Sequence, residues 1–282
     1  MRFETEAKAL YSRVQAQAKG SVNKRKLHGV EPYLPLLRNA VSMNKLGNRI
    51  DLGILEIPTE KIVGVAWNTD RALYTHDFLP LPDPDSEYAQ TWCKLYQYYL
   101  NDIELDSLVD CYEYLGCFFV RDGKKRVSVL KCHGAPTVRA KVIRILPAEI
   151  DDPQMQSYKE FTCYFDMTKL YQIQFTRPGS FSKLQTALGY EPDHVWNECD
   201  RYSFMFHWHA IERAFHDAFN GSMNITTADA LLVLLEEIPF GQIRQMQIWE
   251  LKRIFQMNWK KIYALSEADS LFCNNIEVGK VS

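Results

Sequence analysis

At 282 residues, 46% of them hydrophobic and 24% charged, the chain is long enough to bury one large core or two medium ones. A formal net charge of −2 excludes a global field that recruits nucleic acid, but the balance is uneven: residues 1–47 carry nine Lys and Arg against three Glu, and residues from 148 onward carry twelve against eighteen Asp and Glu. No apolar run approaches membrane-spanning length, MRFETEAKAL is too charged for a signal peptide, and the seven cysteines lack CxxC spacing. The expectation is a cytoplasmic protein with reduced thiols and no membrane partner.

Taken in order, Ala7, Leu10, Val14 and Ala18 recur at helical spacing and predict a helix over 3–19 that Gly20 ends. Asn23-Lys24-Arg25-Lys26 then precedes a turn at His28-Gly29; it reads either as a solvated linker or as contacts from Lys24, Arg25 and Lys26 to nucleic-acid phosphate. Pro32 and Pro35 stiffen the connection to a short helix over 36–41. LGILEI, from Leu52 to Ile57, predicts a strand, and Pro58 separates it from a second apolar stretch that starts at Lys61. The stretch 70–85 has three prolines and no period, which predicts a long loop; Arg71, His76 and Asp77 in it are candidates for one wall of a site. Ser86 or Asp85 caps a helix from Glu87 to about Asn101, and its stripe of Tyr88, Trp92, Leu95 and Tyr99 reads as core rather than as a base-stacking platform.

Residues 108–115 predict a strand that forms a hairpin with a central apolar run, Cys117 to Val120. Asp122-Gly123 breaks that run as a turn, Lys124, Lys125 and Arg126 crowd three cations behind it, and Arg126 opens a short helix that stops at His133-Gly134. Cations at a helix N-terminus oppose the macrodipole, and an anion resolves the conflict. Strand, glycine turn and basic helix start therefore predict a phosphate site built from Asp122, Gly123, Lys124, Lys125, Arg126, Val127 and Ser128, with Arg71 and His76 as its outer residues.

Asp122 to Val129, with Gly134 to Val138 and the strand from Ala140 to Ile145, resembles the phosphate-binding core of the ParB and sulfiredoxin superfamily. The resemblance covers about residues 51–147 and implies an α+β fold: a ParB/sulfiredoxin-like mixed sheet-and-helix domain over 48–147, between a basic helical segment over 1–47 and an all-helical domain over 148–282. Gly123 and Arg126 match the family's Gly-x-x-Arg turn, so phosphate binding carries over. Other positions depart from it. Sulfiredoxins place their catalytic cysteine where Lys124 stands; partition proteins have glutamate and arginine where Lys124 and Lys125 stand; the free-serine kinases have histidine at Lys125.

From Ala148 onward the period is helical almost throughout, apart from an extended piece, LYQIQFT, at 170–176. Helices are predicted over 158–165, 181–188, 193–219, 226–238 and 242–265, with Thr226 and Asp229 as a capping box. His207, His209 and His216 do not complete a tetrahedral set, so no metal is expected. The last two helices, joined through Pro239-Phe240-Gly241, read as a plain helical hairpin rather than a DNA-reading pair, because Trp249, Phe255 and Trp259 point to burial.

Two functional readings stand. In one, a bacterial transcriptional-regulator type binds CTP, ATP or ADP with Mg²⁺, or another phosphate-bearing small molecule, at the Gly123 turn; it associates with DNA through the N-terminal basic segment and pairs as a homodimer. In the other, the same pocket is that of a phosphotransferase or nucleotide hydrolase acting on a small hydroxylated substrate, with Asp77 or Asp122 as the catalytic carboxylate.

Overall fold

The computed structural model describes residues 2–40, 46–101, 108–147, 153–219 and 225–266. Those up to 147 belong to one compact unit and those from 153 onward to another, and each is described by itself. The first helix runs further than its glycine predicts: α1 spans Arg2–Leu27 and passes through Gly20. Glycine in a helix costs about 1 kcal/mol relative to alanine. Burial of Val22 beyond it, continuing the stripe of Ala7, Leu10, Tyr11, Val14 and Ala18, favours going on. Lys24, Arg25 and Lys26 therefore lie on the last helical turn and not in a linker, where free carbonyls favour positive charge.

After a short helix α2 (Leu37–Ala40) come strands β1 (Leu46–Pro58) and β2 (Ile62–Val65), helix α3 (Glu87–Leu100), strands β3 (Val109–Tyr114) and β4 (Cys117–Asp122), helix α4 (Lys124–His133) and strand β5 (Thr137–Pro147). The five strands form one mixed sheet in the order β1-β5-β3-β4-β2. β3 and β4 make the predicted hairpin, and Leu115 and Gly116 both take positive φ, 49° and 78°, the turn that matches strand twist. β2 lies parallel to β4, and β3 lies parallel to β5. The outer side of β2 is closed by the preceding loop: Val65 N–H donates to the Pro35 carbonyl at 2.8 Å, and a Cβ at Gly64 would stand 2.5 Å from that same oxygen. Within the sheet, Glu113 and Arg144 face each other across β3 and β5 as a buried ion pair of 2.6 Å. α1, α3 and α4 meet in a core of Tyr11, Val14, Trp92, Tyr96 and Val129. The 70–85 stretch is a loop, with one 3₁₀ turn at Arg71–Leu73.

The second unit is helical in its described residues: α5 (Pro153–Thr168), α6 (Ser180–Ala187), α7 (Glu198–Phe219), α8 (Thr227–Leu235), α9 (Phe240–Ile243), α10 (Ile248–Met257) and α11 (Trp259–Ser266). LYQIQFT is not a strand; Leu170, Tyr171, Ile173 and Phe175 are buried from irregular backbone. The Thr226–Asp229 capping box forms, and Asp229 also accepts the Thr176 amide at 3.1 Å. The single helix expected over 242–265 is three. Gln247 is extended and caps α10 reciprocally with Glu250, and Asn258 leaves the helical region to end it. Only Leu251 and Phe255 of α10 are buried, whereas Trp249 and Trp259 are 64% and 49% exposed, so the tryptophans do not face the core as the sequence suggested. Cys93, Cys111, Cys132, Cys163 and Cys199 are free thiols.

Candidate functional site

β4 runs beside the parallel β2 and delivers Asp122-Gly123 at its carboxyl end, where α4 begins. The helix starts at Lys124, two residues earlier than predicted, so all three cations lie in its first turn. Gly123 is the N-cap, in the left-handed region at φ 95°, and no side chain caps the helix. A Cβ there would stand 3.1–3.3 Å from the Arg126 guanidinium, so glycine is required both by the backbone angle and by the arginine folded over it.

Each cation of the turn already has a partner. Lys124 Nζ donates to the Thr69 carbonyl at 2.8 Å. Lys125 Nζ lies 4.5 Å from the centre of the Tyr88 ring, and burial lowers its pKa against the opposing pull of Glu87. Arg126 Nη2 donates to Asp122 at 3.2 Å; the arginine side chain is 13% exposed and the carboxylate 81%. Val127 and Ser128 are turned inward: Val127 is buried, its amide donates to the Gly123 carbonyl at 3.0 Å, and the buried Ser128 hydroxyl accepts Trp92 Nε1–H at 3.0 Å. The accessible part of the turn is thus the exposed Asp122, with the half-buried Gly123 to Arg126 beside it and the exposed Thr69 alongside.

The loop residues divide. Arg71 follows the Thr69 segment and is held by Glu31 at 2.7 Å. His76 and Asp77 pair with each other at 3.2 Å, and the hydrogen bond from His76 is the largest of the causes that hold the Asp77 carboxyl below its ordinary range. Further pull on Asp77 comes from Arg25 and from Lys131, which is in the last turn of α4, so this pair belongs with the far end of that helix and not with the glycine turn. At the end of α1, Arg25 Nε donates to the Glu31 carbonyl at 2.9 Å, Lys26 lies 5.9 Å from the Tyr33 ring and Lys24 is exposed.

Sequence reading missed a group beside the turn. Tyr112 in β3 carries the guanidinium carbons of Arg49 and Arg121 at 5.5 and 4.8 Å from its ring centre, and Trp67, just past β2, meets the same ring edge-on at 6.3 Å. These residues come from four separate stretches, and only their strand register unites them.

In the second unit a cavity of about 400 Å³ is lined by Arg177, Lys183, Asp229, Leu232, Val233 and Glu236, among others. Burial raises the Asp229 pKa there although it accepts several hydrogen bonds. Among the described residues no group of three or more His, Cys, Asp and Glu is placed to hold a metal ion, and no helix is long and apolar enough to cross a membrane. Comparison with family models, curated proteins and solved structures finds no match.

Proposed function

We propose that the first unit is a ParB/sulfiredoxin-like domain that binds a nucleotide or another phosphate-bearing small molecule at the Asp122–Arg126 turn, and that the chain is a ligand-responsive regulator. The observation that carries this reading is the uncapped, left-handed Gly123 at the start of α4, at the carboxyl end of a parallel strand pair, with Arg126 folded across it. First-turn amides and a guanidinium converging on one glycine suit a phosphate, and crevices at the carboxyl ends of parallel strands are where such ligands bind. Lys124, Lys125 and Arg126 supply charge, and Asp122 is the group that would hold Mg²⁺. The association with DNA belongs to the same proposal and draws on Lys24, on Arg25 and on Lys26.

The transferase or hydrolase reading, with Asp77 or Asp122 as its carboxylate, is favoured by no specific observation: Asp77 pairs with His76 and Asp122 with Arg126.

A thermal-shift series with CTP, ATP, ADP, GTP and pyrophosphate, with and without Mg²⁺, tests the proposal. One ligand should raise the melting temperature of the parent and not of Arg126→Ala. The Asp122→Asn variant separates two roles for the carboxylate: tighter Mg²⁺-free binding means that Asp122 competes for Arg126, and loss of a Mg²⁺ requirement means that it holds the ion. A folded parent that responds to none of these ligands refutes phosphate recognition.

A further inference from the structure

The Tyr112 group continues into an open face of the sheet. Along β5 burial alternates: Ala140, Val142 and Arg144 are buried, and Arg139 and Lys141 are exposed. Register places Lys141 beside Asp110 of β3 and Ile54 of β1, and sets Tyr112 beside Ile143, two residues further along the same face. Arg49, Arg121, Arg139 and Lys141 therefore share a face with Trp67 and Tyr112. None of the four cations forms an ion pair with a described residue. Three carboxylates lie near them on the same strands and keep their charge: Glu56 opposite Arg139, Asp110 opposite Lys141, and Asp51, which accepts the Gly53 amide at 2.9 Å; four cations against three acids leave the face with a small positive excess, centred on Arg49 and Arg121.

Two observations ask for an anion with flat faces. Arg121 Nε is buried with no hydrogen-bond partner among the described residues, while its guanidinium shares the Tyr112 ring with that of Arg49, so two like charges are held together with no described carboxylate in ion-pair contact. Trp67 stands at 76° to that ring and remains 55% exposed, which leaves indole surface uncovered by the described residues. Both needs are met by one class of partner.

We infer that this face binds single-stranded nucleic acid, with backbone phosphates on Arg49, Arg121, Arg139 and Lys141 and a base stacked on Trp67. Single strands expose base faces that a duplex keeps stacked inside, and a positively charged track with aromatic platforms is the arrangement that holds them. An acidic peptide satisfies the cations and leaves Trp67 without a partner. The inference uses no residue of the glycine turn, so it does not depend on nucleotide recognition there.

The test is fluorescence anisotropy of a labelled oligo(dT) strand with the full chain, against the same length as a dA·dT duplex and against polyglutamate as competitor. The strand should bind more tightly than the duplex, with a log–log salt slope of about −2.8 for four phosphates at about −0.7 each. Arg49→Ala with Lys141→Ala should reduce that slope to about −1.4. Trp67→Ala should weaken binding about ten-fold or more, whereas Trp67→Phe retains most of it. Trp67 is largely exposed, so its variants keep the parental melting temperature. Arg126→Ala should keep oligonucleotide binding while losing any nucleotide-induced shift, which separates the two sites. No binding at low salt, equal affinity for strand and duplex, full displacement by polyglutamate at equal charge, or unchanged binding by the Trp67 and Arg49 variants each overturns the inference.

Discussion

Gly123→Ala tests the geometry of the turn most directly. Two costs follow. The first is backbone strain, because φ of 95° lies where an L-side chain is disfavoured by about 1–2 kcal/mol. The second is crowding, because the new methyl would stand 3.1 Å from Arg126 Nη2 and 3.2 Å from Nε, closer than ordinary contact, and must push the guanidinium aside. The arginine is the movable end of a side chain, but it is largely buried and joined to Asp122, so this displacement adds about 0.5–1 kcal/mol. Gly134 provides the control: it too is left-handed, at φ 80°, and its added Cβ would meet nothing within 4 Å. Urea unfolding should therefore give a loss of about 1.5–3 kcal/mol for Gly123→Ala against about 1–2 kcal/mol for Gly134→Ala. In an Arg126→Ala background the excess should vanish, because the crowded group is gone. Equal losses at the two glycines, or an excess that persists without Arg126, would refute the claim that Gly123 is needed to let Arg126 cross the turn.

Ser128→Ala should cost about 1–3 kcal/mol by leaving the buried Trp92 Nε1–H without an acceptor, and ligand affinity at the turn should not change, because the hydroxyl faces the core; a weakened ligand with unchanged stability contradicts this. Arg144→Met strands the buried Glu113 carboxylate without its guanidinium and should cost about 3–5 kcal/mol, most of it recovered in Arg144→Met with Glu113→Gln; urea titration of the two variants decides. Asp77 has a folded pKa below its ordinary 3.8, so its contribution to stability is fully present above that value and is lost as pH falls through the folded value. His76→Ala removes the largest cause of the shift and should flatten the decline in melting temperature between about pH 5 and pH 2; an unchanged decline contradicts the assignment.

What the sequence made legible was what local chemistry decides. The hairpin around Leu115-Gly116, the glycine that ends α4 at φ 80° and the Thr226–Asp229 capping box all rest on residues within a few positions of one another. Misreadings arose where a local rule was outvoted. Gly20 did not stop α1 because Val22 beyond it still had a core to enter, and α4 begins on cations because Thr69, Tyr88 and Asp122 receive them. The helical period from Gln242 to Leu265 continued through Gln247, whose extended backbone only its reciprocal bonds with Glu250 reveal. Size was mistaken for burial at Trp249 and Trp259. The Tyr112 group was invisible for a different reason: Arg49, Trp67, Tyr112 and Arg121 are brought together by a strand order, β1-β5-β3-β4-β2, that no local pattern states.

On the proposed reading, the three cations of the turn also show how a phosphate site can exist without its ligand. Clustered positive charge at a helix start is unfavourable, and here it is relieved by three kinds of acceptor: a carbonyl for Lys124, an aromatic face for Lys125 and a carboxylate for Arg126. Of these only the carboxylate carries a formal charge, and its side chain is 81% exposed, so it retains most of its hydration. An ion pair with one exposed member is worth no more than about 1 kcal/mol, whereas a phosphate brings more charge, several acceptor oxygens and access to the amides that no side chain caps. Exchanging Asp122 for phosphate at Arg126 is therefore the low-cost step, and Lys124 and Lys125 keep their own partners while adding charge nearby. On that proposal, a turn arranged this way is stable when empty and selective for an anion that displaces one aspartate, which reconciles a basic helix start with a chain of net charge −2.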